Sequence, residues 1–136
     1  MLRGWLPMFL GLRVVVYPAP DLAAGKAWWT SVLGMEPYFD EPFYVGYNVG
    51  GYELALSPRA DLADGPVTYW GVADADAALQ QLVTAGATVK EGVRDVGGSI
   101  RAASVTDPSG SVIGIIENPH FALPEVARQA GDGPGR

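Results

Sequence analysis

The strongest constraint on the fold is an order of elements that occurs twice along the chain. A continuous β-branched run from Leu12 to Tyr17 is closed by Pro18-Ala19-Pro20, the pattern of a buried strand ended by a breaker. Asp21 stands where an N-cap belongs. Leu22, Trp29, Val32 and Leu33 then recur at helical spacing up to Gly34, a residue free to take the left-handed C-terminal conformation. Tyr44 to Val49 and Tyr52 to Leu56 flank Gly50-Gly51, a two-residue loop suited to a tight hairpin. The second half follows the same plan: Val67 to Val72 predicts a strand, Asp74 a cap, Ala77 to Val83 a helix face and Gly86 its stop. Thr88-Val89, Ile100 to Val105 and Val112 to Ile116 read as further strands, the last two joined by a turn at Asp107-Pro108-Ser109-Gly110. The two caps stand 53 residues apart, and the segments beginning at Glu53 and Gly114, each ending in Pro, stand 61 apart. Equal order with small insertions is what a duplicated β-α-β-β-β unit leaves behind.

A chain of 136 residues is one ordinary domain, long enough to bury about two thirds of its unfolded surface. The expected organisation is an N-terminal extension over residues 1–11, a single domain over 12–121 and a tail over 122–136. Within the domain, module one spans about 12–58 and module two about 67–119, joined by a linker over 57–66. In the tail, Pro124 to Ala130 predicts a short helix and Gly131 to Arg136 a frayed end. The apolar start is interrupted by Arg3 and Pro7 and lacks a small-residue cleavage pattern, so no secretory signal is expected, and a cytoplasmic location follows. Met8 is an alternative start.

Composition narrows the chemistry. Hydrophobic residues make up 49% and charged residues 18%, too apolar for a disordered chain and too interrupted by Gly and Pro for a membrane span. Nine Lys plus Arg against fifteen Asp plus Glu leave a net charge of -6, without the basic footprint that nucleic acid requires. There is no cysteine, hence no disulfide, thiolate metal site or Cys nucleophile. The single histidine, His120, rules out any arrangement that needs two imidazoles.

Several segments resemble one family: residues 15–22, Trp28-Trp29 before Val32-Leu33-Gly34, Tyr69-Trp70-Gly71-Val72 before Asp74, Ala85-Gly86-Ala87, and Asp107-Pro108 through Gly110 to Glu117-Asn118-Pro119. Their order is similar to that of the vicinal oxygen chelate superfamily, which includes glyoxalase I, bleomycin-resistance proteins and extradiol dioxygenases. The resemblance covers about residues 12–121. It implies an α+β fold of two tandem βαβββ modules whose sheet curves around a cleft, commonly completed by a homodimer.

In metal-dependent members of that superfamily, ligands come from the first and last strands of each module and are His, Gln or Glu. Carried onto this chain, those places are Val14, Glu53, Thr68 and Gly114. Only Glu53 ligates well. A shift by one brings in Val15, Val67, Tyr69 and Ile113 or Ile115, and His120 matches none of the four places. One carboxylate with hydrocarbons, a glycine and a hydroxyl does not compete with solvent for a divalent cation, so no metal and no cofactor is expected. A ligand outside the pattern, such as Glu117 or one from a partner chain, is the remaining route to a metal.

Alternation along the strands suggests what lines the cleft instead. The face of Val14 carries Val16, that of Thr68 carries Trp70 and Val72, and Glu53 shares its face with Ala55. Either Tyr44 or Tyr47 joins Asn48 there, and either Arg101 or Ile100 joins Ser104. Glu53, Trp70, Tyr47, Asn48 and Arg101 are therefore the candidate ligand contacts, with Trp70 as a stacking platform or as a core residue. Glu53 pairs with Arg101, contacts a ligand or acts as a general base. Gly97-Gly98 is a lid or a plain hairpin turn, Trp28 and Trp29 are core, and His120 is a surface or capping residue. The acidic excess confers solubility or favours a cationic ligand.

The expected function is a metal-free protein of this fold that binds a small aromatic or amphipathic molecule, in the manner of bleomycin-resistance proteins. The alternatives are a glyoxalase-like lyase, isomerase or dioxygenase, with Glu53 as the catalytic candidate, and a non-catalytic assembly module. Neither nucleic acid nor a membrane is an expected partner.

Overall fold

The structure, a computed structural model, describes residues 8–122. The expected terminal helix at Pro124 to Ala130, the frayed end after it and most of the N-terminal extension lie outside the described residues. The chain forms two compact units, one built on residues 14–66 and the other on 67–119 together with residues 8–13. They correspond to the two repeats.

Module one contains β1 (Gly11–Pro18), α1 (Leu22–Leu33), β2 (Phe39–Glu41), β3 (Tyr44–Val49) and β4 (Tyr52–Ser57), with the strands in the order β2-β3-β4-β1. The residues of β1 from Val14 onward belong to this unit and run parallel to β4, with Val14 opposite Glu53 and Val16 opposite Ala55. β3 runs antiparallel to both β2 and β4. α1 begins and ends where local chemistry dictates. The Asp21 carboxylate accepts the Ala24 N–H at 3.0 Å, and Gly34, at φ 68°, turns its N–H back to the Thr30 carbonyl. Leu22, Trp29 and Leu33 pack on Tyr17, Val45, Tyr47, Leu54 and Leu56, which form the core of this unit. That contact fixes the sidedness of the sheet: Tyr17, Val45, Tyr47, Leu54 and Leu56 face α1. By alternation and register, Val14, Val16, Tyr44, Gly46, Asn48, Glu53 and Ala55 face away. Trp29 is a core residue as expected, whereas Trp28 remains 59% exposed.

Module two contains β5 (Val67–Gly71), α2 (Ala75–Thr84), β6 (Thr88–Gly97), β7 (Ile100–Thr106) and β8 (Val112–Glu117), in the order β5-β8-β7-β6. β5 runs parallel to β8, and β8, β7 and β6 are antiparallel, so the topology of module one is repeated. The Asp74 side chain caps α2 by accepting the Ala77 N–H at 3.1 Å. The buried small residues Ala75 and Ala78 let α2 lie close to Val72, Ala103 and Ile115, and Leu79, Leu82, Phe9 and Val93 close the cluster. β6 extends far beyond the expected Thr88-Val89, with register shifts along its pairing to β7 that scramble the alternation of its charged residues. Gly97-Gly98 belongs to the hairpin turn between β6 and β7. The linker holds a 3-10 turn over Leu62–Asp64, capped by Asp61.

The elements of both modules make the fold α+β, as the sequence predicts. Among the described residues, no helix is long and apolar enough to cross a membrane.

Candidate functional site

On the face of module one turned away from α1, the chain gathers aromatic rings around one carboxylate. Glu53, from β4, accepts hydrogen bonds from the hydroxyls of Tyr38 and Tyr44, one on each oxygen. Gly46 makes this convergence possible. A Cβ there would lie 3.3 Å from the Tyr38 ring and 3.4 Å from the Glu53 carboxyl carbon, so only glycine leaves both side chains unimpeded. The backbone fixes the same neighbours, because the Tyr38 N–H donates to the Gly46 carbonyl at 3.0 Å. Phe39 packs against Tyr44, Phe43 and Tyr38, with ring centroids 5.9, 6.1 and 6.5 Å apart. Tyr38 is 63% exposed, Phe43 54% and Phe39 38%, so this cluster meets solvent and is not core. Burial of its hydroxyl and the bond to Glu53 push the Tyr38 phenol well above its ordinary value of 10.0.

Of the five expected ligand contacts, Tyr47, Asn48 and Glu53 belong to module one and Trp70 and Arg101 to module two. Glu53 and Asn48 share the face described above and are register partners across β3 and β4. The Asn48 side chain accepts the Gly51 N–H at 2.9 Å and so stabilises the hairpin. Tyr47 lies on the opposite face. It is fully buried, its hydroxyl donates to the Lys26 carbonyl at 3.1 Å and lies 2.9 Å from Thr30 Oγ1, so it ties β3 to α1. Tyr44, the alternative left open by alternation, takes the place expected for Tyr47.

Trp70 also lies on a helix-packed face. Its register partner is Ile115, which packs on Ala75 and Ala78; its ring stacks on Phe9 at 5.5 Å and 9°, and its Nε1–H donates to Thr68 Oγ1 at 3.1 Å. One face of the expected platform is thus taken by Phe9, and the side chain is half-buried.

The expected pairing of Arg101 with Glu53 is not formed. The Arg101 guanidinium bonds Asp76 of α2 at 2.8 Å and lies 3.6 Å from Glu117, while Glu53 takes two tyrosines as partners. Glu117 in turn accepts the Ala75 N–H at 2.9 Å, so the Arg101, Asp76 and Glu117 group fastens the start of α2 to the sheet. His120 is exposed, as expected.

Sequence reasoning missed Tyr38, Phe39 and Phe43, which lie outside any window long enough to show alternation. The signal that pointed to them was Gly46, a glycine inside a strand, which often marks a close approach. It also missed Arg13, whose Nε lies 2.6 Å from the place of a Cβ on Gly71.

The metal positions can now be tested against the fold. Val14 and Glu53 are register partners in module one, as a ligand pair requires. In module two the pair facing away from α2 is Tyr69 and Gly114, since Thr68 shares the side of Trp70 and Ile115. Only the Thr68 place shifts, to Tyr69, while Val14, Glu53 and Gly114 keep theirs. The Tyr69 ring covers Gly114: a Cβ there would lie 2.4 Å from Tyr69 Cδ2. Module one offers one carboxylate, already engaged by two phenols, and module two offers one phenol. This donor set does not fit a divalent metal. Among the described residues, no three of His, Cys, Asp or Glu gather to hold one.

Two βαβββ modules, each with its helix packed on one face of its strands, define a paired-module α+β protein. The chain belongs to the Glyoxalase/Bleomycin resistance protein/Dioxygenase superfamily, whose family model matches residues 11–115. Among solved structures, it is similar to a methylmalonyl-CoA epimerase from Streptomyces coelicolor, with 19% identity and a TM-score of 0.65, over 85% of this chain and 99% of that one. A methylmalonyl-CoA epimerase from Mycobacterium tuberculosis shares 21% identity at a TM-score of 0.63, over 93% and 98% of the two chains. A Mn(II)-bound glyoxalase from Novosphingobium aromaticivorans shares 22% at 0.64, over 87% of this chain and 41% of that chain. At these identities the likeness is one of fold. No curated protein matches the chain by sequence.

Proposed function

We propose that this protein binds a small aromatic or amphipathic molecule without a metal, as a homodimer in the cytoplasm, in the manner of the bleomycin-resistance branch of its superfamily. The observation that carries this reading is the solvent-exposed aromatic group around Glu53, built on a fold whose metal positions here are Val14, Glu53, Tyr69 and Gly114. Exposed rings with one or two polar groups among them offer a ligand apolar area to cover and a means of orientation. A thermal-shift screen against aromatic antibiotics and aromatic metabolites tests it, with metal content measured on protein purified without chelators. The expected result is stabilisation by at least one compound in metal-free protein. Stoichiometric transition metal, or a flat response across the panel, would overturn it.

A second reading is an isomerase that uses Glu53 as a base, favoured by the structural neighbours that are epimerases. Against it, both carboxylate oxygens of Glu53 already accept phenol hydrogens, so a substrate proton would have to compete with Tyr38 and Tyr44 for them. Turnover of acyl-thioester substrates that is lost in Glu53→Gln would restore it.

A further inference from the structure

The hydrogen-bonding polarity of the Glu53 group bears on the charge of what binds. Tyr38 and Tyr44 each give their one hydroxyl hydrogen to Glu53, so these side chains bring acceptor capacity and no further donor to a ligand. The carboxylate keeps additional acceptor positions beyond the two in use. Phe39 and Phe43 contribute only ring faces and edges, and Phe39 meets Phe43 and Tyr44 at 71° and 76°, so neighbouring rings present surfaces in different directions. Strands β2, β3 and β4 contain three acidic residues and no lysine or arginine. Asp40 is paired to Lys26 of α1, whereas Glu41 lies opposite Tyr44 in the register, on the face of Glu53. Acceptor oxygens, π faces and carboxylates attract the same chemical partner, a group that carries positive charge spread over carbon.

We propose that the ligand presents an organic cation, a quaternary or protonated alkylammonium, to Tyr38, Phe39, Tyr44 and Glu53. The inference rests on the small-molecule binding reading above and narrows its ligand class. The ring faces select a weakly hydrated cation over a metal ion, which demands several direct oxygen or nitrogen ligands that this group does not supply.

The test compares benzyltrimethylammonium with its neutral isostere neopentylbenzene and with phenylacetate, each titrated into the full chain and followed by amide NMR at Gly46 and its neighbours. The expected result is that the cation binds about tenfold or more tighter than the neutral isostere. That preference should weaken at high salt and vanish in Glu53→Gln. Phe39→Leu, which leaves the carboxylate in place, should weaken the cation several-fold while the chain stays folded, and it decides the matter if Glu53→Gln does not fold. Equal binding of cation and isostere, or a preference for phenylacetate, would overturn the cation and leave the binding reading standing. No binding by any of the three would overturn the cation, and the wider thermal-shift panel would then decide whether the binding reading falls with it.

Discussion

Tyr47 and Asn48 are chain neighbours that face opposite sides of the same sheet, Tyr47 into the core beneath α1 and Asn48 toward solvent beside Glu53. The consequence for Tyr47→Phe is a loss of stability without a loss of ligand binding. Removing the hydroxyl deletes its bonds to the Lys26 carbonyl and to Thr30 and leaves Thr30 short of a partner, at a cost of about 1–2 kcal/mol. Denaturant melts of the variant should show the midpoint falling with an unchanged slope. An unchanged midpoint would mean that water replaces both bonds.

The packing of Tyr69 on Gly114 predicts strong coupling between the two positions. Gly114→Ala places a methyl group inside the ring's space and should destabilise by about 1–3 kcal/mol. In a Tyr69→Ala background the same methyl group meets no ring, so most of that loss should disappear. A double-mutant cycle on thermal stability measures the coupling, and additive effects would contradict the contact.

Alkaline titration reports on Tyr38. Its phenol ionises above the ordinary value of 10.0 in the folded chain, because burial and the Glu53 carboxylate disfavour the phenolate. The unfolded chain releases this proton first, so the contribution of Tyr38 to stability is complete below about pH 10 and is lost as pH rises beyond it. Ultraviolet titration compared with Tyr38→Phe should show the Tyr38 phenol ionising late, and Glu53→Gln should bring it back toward its ordinary value. If Glu53→Gln leaves the titration unchanged, the bond between the two side chains is not the cause.

Glu117 and Arg101 should behave differently although they belong to one ion-paired group. Glu117→Ala removes the acceptor of the Ala75 N–H, on a residue that is fully buried, and should cost about 1–3 kcal/mol. Arg101→Met removes solvent-screened ion pairs and should cost less. Paired thermal melts order the two, and an equal loss would place the stabilisation in the ion pairs and not in the helix start.

Which parts of the molecule are legible in the sequence follows from how local each determinant is. The bounds of α1 are, because Asp21 and Gly34 satisfy or end the helix through atoms only a few residues away. The two hairpin strands around Gly50-Gly51 are, for the same reason. Sidedness is not: alternation divides Thr68, Tyr69 and Trp70 into two sets, but only the packing of Ile115 under α2 decides which set meets the helix. Tyr47 looks like a binding group by chemistry and is core by position, while Trp70 is half-buried against Phe9. β2 is too short to carry a period, so Phe39 and its neighbour Tyr38 are invisible until Gly46 brings them to Glu53. The charges of β6 hide its length because its register shifts break the two-residue repeat.

Tyr69 and Gly114 have an evolutionary corollary. A carboxylate or imidazole introduced at position 114 collides with the ring, while a smaller residue at 69 arising first leaves a void above the glycine. Each single substitution is worse packed than the starting pair, so the two positions are expected to change together or not at all.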